Sequence, residues 1–110
     1  MTSLQSRLKG FQDALVATGA SVYHYRKSPR KTAPYLIWAE DGEGDSSFDA
    51  CNHKAEQSIH GYVDYYTLTE FDSMADTIQE TLNTRSEWRL NDVQYEEETN
   101  LIHYSWEFTI

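Results

Sequence analysis

From Ile102 to Ile110 every second residue is large and apolar: Ile102, Tyr104, Trp106, Phe108 and Ile110. His103, Ser105, Glu107 and Thr109 stand between them. An alternation of period two fits a strand with one face in a core and the other turned to water or a partner. Burying each large apolar side chain contributes roughly 1.5–3 kcal/mol. A slip of one residue would turn the whole apolar set into solvent, so this segment sets the register of its sheet. The run reaches the last residue, an economy expected of a part that fits into an assembly.

Upstream, residues 3–18 carry Leu4, Leu8, Phe11 and Leu15 at helical spacing. Thr2 or Ser3 can cap that helix, and Gly19 stands where a glycine ends one. Residues 21–25 form a short strand candidate, whereas Pro29 and Pro34 keep 26–34 irregular. Residues 35–40 are predicted as a strand that is apolar on both faces, hence central and covered on both sides. The segment 41–54 has glycines, serines and acids without period and is expected to be a long, flexible acidic loop. A strand over 56–68 follows, in which His60, Tyr62, Asp64 and Tyr66 share one face. A second helix is predicted over 70–83, capped by Thr69, with Phe71, Ala75, Ile78 and Leu82 as its stripe. Strands over 88–95 and 101–110 then form a hairpin in which Asn100 can take positive φ.

The order α-β-β-β-α-β-β predicts an α+β fold: a single, mostly antiparallel, mixed β-sheet with two helices packed on one face. A chain of 110 residues suits one domain, 1–110, with a single core. No apolar run is long enough to span a membrane, and MTSLQSRLKG lacks the apolar stretch of a secretory signal. One cysteine, Cys51, leaves no intramolecular disulfide to form and fits a reducing compartment.

Eighteen acidic against nine basic residues give a net charge of -9. Nucleic-acid recognition normally needs a basic face, so sequence-specific DNA or RNA binding is not expected. The cations are clustered: Arg26, Lys27, Arg30 and Lys31 fall close together, while 41–49 and 96–98 are acidic. Opposite patches suit charge-guided contacts between copies or with partners, although uneven charge is also what a solvated surface can carry. Eight tyrosines and three tryptophans add residues that interfaces favour.

Chemistry-bearing sets are sparse. Cys51 and His53 beside acids make a weak zinc signal, since a zinc site needs about four ligands. An acidic setting raises the pKa of a thiol and blunts it as a nucleophile. No phosphate loop or nucleophile elbow is present. No catalytic, metal or cofactor-binding residue is therefore assigned, and no enzyme activity is expected.

The segments VYHYRKSPRKTAPYLIWAEDGE (22–43), IHGYVDYYTLTEFD (59–72) and WRLNDVQYEEETNLIHYSWEF (88–108) resemble small proteins of long-tailed bacteriophages of Gram-positive bacteria. These are minor tail or tail-completion proteins. The resemblance spans nearly the whole chain and its motifs are structural. It implies a tail terminator: a hexameric ring that caps the finished tail tube, stops polymerisation and presents a surface to the head-tail connector. Its partners would be its own copies, the tail tube protein and the head-completion protein. Genomic DNA would pass through the lumen without specific binding. The protein would be found in the tail or neck of the virion, and in the host cytoplasm during assembly, with no membrane and no cofactor involved. Arg26, Lys27, Arg30 and Lys31 would meet acidic arms that include Asp41, Glu43, Asp45 and Asp49, with Phe48 as an apolar anchor. A second class also fits: a small acidic DNA mimic or inhibitor that offers carboxylates to a basic enzyme.

Overall fold

Ser3 opens the first helix, α1 (Leu4–Val16), by accepting a hydrogen bond from the Ser6 amide at 3.4 Å. That bond serves one of the N–H groups a helix start leaves without a partner. Leu8, Phe11, Ala14 and Leu15 are buried along one stripe of α1. Gly19, at φ 93°, leads the chain away in a backbone conformation that costs glycine little. The computed structural model describes residues 3–44 and 57–110. Asp45, Phe48, Asp49, Cys51 and His53 lie outside them.

The remaining elements are β1 (Val22–His24), β2 (Tyr35–Glu43), β3 (Ile59–Thr67), α2 (Ser73–Arg85), β4 (Glu87–Glu96) and β5 (Leu101–Thr109). They build one five-stranded mixed sheet in the order β1-β2-β3-β5-β4. β1 runs parallel to β2 and every other neighbouring pair is antiparallel. The α+β class and the element order are therefore as the sequence predicts. Asn100 closes the β4–β5 hairpin at φ 59°.

Both helices pack on the same face of the sheet. Leu8, Phe11 and Leu15 of α1 and Ile78 and Leu82 of α2 meet Leu36, Trp38, Val63, Tyr65, Trp106 and Phe108. Phe11 stacks on Phe108 with ring centroids 4.3 Å apart and meets Trp38 edge-on at 5.3 Å. Trp106 lies opposite Val63 and Leu90, which is the register its alternation demands. Trp106 is buried, while Tyr104 is half-buried and packs at the margin of the core.

Several local expectations are corrected. β2 runs on to Glu43, so Asp41 and Glu43 belong to a strand and not to the loop. A bulge between Glu40 and Gly42 shifts the register and lets Gly42 and Glu43 pair with His60 and Ile59. Helices cover β2 on one side; among the described residues the other face of the sheet carries no helix. The cap of α2 is Asp72 and not Thr69, because its carboxylate accepts from the Met74 amide at 2.9 Å. Phe71 therefore stands outside the helix, at 91% exposure, and does not belong to its stripe.

Candidate interface on the open sheet face

Alternation along β3 and β5 places His60, Tyr62, Asp64, Tyr66, His103, Ser105 and Glu107 on the face opposite α1 and α2. The polar residues of that face tie neighbouring strands together. His60 lies between two carboxylates: its Nδ1 is 2.7 Å from Asp41 and its Nε2 is 2.7 Å from Glu107. Arg89 of β4 donates to the second oxygen of Glu107 at 2.9 Å. One chain of charge thus crosses β2, β3, β5 and β4. Hydrogen bonds that His60 donates to Asp41 and Glu107 raise its pKa, and the smaller penalty of burial does not cancel them. Hydrogen bonds with His60 and Arg89 hold the Glu107 carboxyl below the usual range.

A second tie lies one step along the strands. His103 Nε2 is 2.8 Å from Asp64, and the His103 ring stacks on Tyr66 at 4.2 Å. Tyr66 stacks in turn on Tyr35 at 4.9 Å, and Lys27 sits over the Tyr35 ring at 5.3 Å. Burial, with the negative charge of Asp64 added, pushes the Tyr66 phenol up to about 12. Its hydroxyl therefore stays neutral across the physiological range.

His24 belongs to the other side. It stacks on Trp38 at 4.0 Å and pairs with Glu40 at 2.7 Å, and Tyr25 donates to the same carboxylate. Every histidine among the described residues is thus held by an acid. Each partner comes from a different strand, so neighbours in sequence do not reveal the pairing. The available signal was the alternation itself, which puts His60, Asp64, His103 and Glu107 on one face. Both nitrogens of His60 are engaged, and no group of acids, histidines and cysteines among the described residues is arranged to hold a metal ion.

Of the proposed contact residues, Arg26, Lys27, Arg30 and Lys31 occupy the connection from β1 to β2, at one edge of the sheet. Asp41 and Glu43 stand at the far end of β2, and Asp41 is engaged with His60. The acidic turn Glu96–Glu98 belongs to the β4–β5 hairpin, whose outer strand β4 forms the opposite edge. The turn and the basic segment nonetheless lie toward the same end of the sheet: the charge of Glu96 acts on Tyr35 and Tyr66, and Lys27 sits over the Tyr35 ring. No family model and no curated protein matches the chain in sequence.

Proposed function

We propose that this chain is a structural protein of a phage tail, a tail terminator that assembles as a ring on the finished tube and joins it to the head. The observation that carries this reading is the open sheet face. It bears Asp41, Asp64, Glu107 and Asp92, with Arg89, His60 and His103 among them, and no helix among the described residues lies over it. An acidic face turned into a channel repels phosphate and lets DNA slide without sticking. Cross-strand ties through His60 and His103 suit such a wall, because they fix the charges on a rigid support.

The clustered cations support the same reading: Arg26, Lys27, Arg30 and Lys31 border the β1 edge, where they can meet an acidic surface of a neighbouring copy. That favours head-to-tail contact between copies, the kind that generates rings. The test is electron microscopy of the protein mixed with tail tubes assembled from tube protein. Six-fold rings seated on tube ends, with tube growth arrested, are the expected result. Free tubes of unlimited length beside unbound monomers would refute it.

A further inference from the structure

Phe71 is exposed in a way that folding does not reward. Its side chain is 91% exposed and its backbone holds φ at 57°. That region is costly for a bulky residue and persists where the surroundings impose it. Here they do: the next residue, Asp72, is pinned by Tyr65, Thr67 and the Met74 amide. The ring is thereby held outward at the start of α2. Glu70 before it and Asp76 in the first turn are exposed acids.

The other end of α2 carries the complement. A hollow of about 320 Å³ is lined by Arg7, Gly10, Phe11, Arg85 and Ile110. Buried Phe11 forms its floor and half-buried Ile110 its apolar rim, while Arg85 and Arg7, which also donates to the Gln57 carbonyl, supply positive charge. Gly10 leaves room, since a Cβ added there would meet nothing within 4 Å.

We propose that Phe71 of one copy enters the hollow between Arg7 and Arg85 of the next copy, with Glu70 and Asp76 facing the two arginines. The thirteen residues of α2 separate knob from hollow by roughly 20 Å, so one molecule cannot satisfy both. The contact is heterologous and closes into a ring when its rotation divides the circle. The inference rests on the ring reading above and names the contact that would build it.

Two variants test it by sedimentation velocity. Phe71→Asn removes the ring and keeps a residue type that tolerates positive φ. Gly10→Leu fills the hollow. Phe71→Asn should melt at or above the wild-type temperature while self-association weakens roughly thirtyfold, the loss expected of a buried aromatic anchor. Each variant alone should stay monomeric, and an equimolar mixture should form 1:1 dimers that grow no further, because one intact knob meets one intact hollow. A wild type that is monomeric at every concentration, or variants that assemble as it does, would overturn the contact. Six-fold rings of Phe71→Asn on tube ends would refute this contact and leave the terminator reading standing. Knob-dependent assemblies that ignore tube ends would do the reverse.

Discussion

The Tyr65 hydroxyl donates to the Asp72 carboxylate at 2.7 Å, which fastens the buried face of β3 to the cap of α2. Thr67 donates to the same oxygen at 2.7 Å, and the Met74 amide donates to the other at 2.9 Å. Burial alone would raise the Asp72 pKa, but these three hydrogen bonds outweigh it and hold the carboxyl below its ordinary 3.8.

Asp72→Ala should cost about 2–4 kcal/mol, the sum of a lost cap and of a buried tyrosine hydroxyl left without its acceptor. The acid limb follows from the sign of the shift. A depressed carboxyl contributes stability that is present above 3.8 and lost as pH falls through the lower folded value. Urea denaturation between neutral pH and the acid limb should show the wild-type advantage over Asp72→Asn shrinking as acid is added. An advantage that does not change with pH would exclude the carboxylate as its source.

His60 works in the opposite sense. Its folded pKa lies above the ordinary 6.5, so its stabilisation is complete below 6.5 and is lost as pH rises through the folded value. The groups that face it are Asp41, Glu107 and, through Glu107, Arg89, with the Tyr62 ring edge-on at 5.4 Å. Wild type should therefore gain stability over His60→Gln on moving from mildly alkaline to mildly acidic solution. Chemical-shift titration of the imidazole gives the direction independently, and a value at or below 6.5 would contradict the clamp.

Trp106 and Tyr104 separate burial from alternation. Trp106 is buried, and its indole N–H donates to Gln79 at 3.1 Å. Trp106→Ala should cost about 3–5 kcal/mol. Tyr104, half-buried on the same face, should cost about 1–2 kcal/mol less than that on truncation, since less area returns to water. Equal shifts in the denaturation midpoint would mean that the margin of the core is packed as tightly as its centre.

Reversal of the basic segment tests the edges. Arg26, Lys27, Arg30 and Lys31 changed together to Glu should preserve the circular dichroism spectrum, because the segment lies outside helix and strand and surface charges contribute little. The packing lost is the Lys27 contact with the Tyr35 ring. Ring closure should fail, with tails of uncontrolled length or heads and tails left unjoined. Added salt should weaken the wild-type contact in the same direction, since exposed pairs are screened within about 8–10 Å. Normal tails from the quadruple variant would reduce the cluster to a solvated surface.

The parts of the fold legible in the sequence were those written in period. β5 alternates without interruption and α1 repeats its stripe, so both elements and most of their buried faces are legible, although Leu4, at the start of the α1 stripe, is exposed. What local pattern could not supply were the choices made by distant residues. Asp72 caps α2 in place of Thr69 because Tyr65 and Thr67 converge on it from β3. Phe71 matched the helical spacing and yet falls one residue outside that cap. Gly42 read as loop, but the bulge beside it lets β2 continue along β3. The same holds for the open face: Asp41, His60 and Glu107 meet across three strands, and nothing in their separate neighbourhoods announces the meeting.

The strand order has a kinetic side. The two parts of the sheet, β1-β2-β3 and β5-β4, touch along one seam, from His60 opposite Thr109 to Thr67 opposite Ile102. The hairpin on one side of that seam is local and closes on a scale of about 1–10 μs. The seam must instead gather residues separated by a helix and a strand, so it has the longer loop to close. Until it forms, β3 and β5 each present an unpaired edge. On the ring reading, in which copies meet one another, the order of these two events decides whether a chain first finds itself or its neighbour.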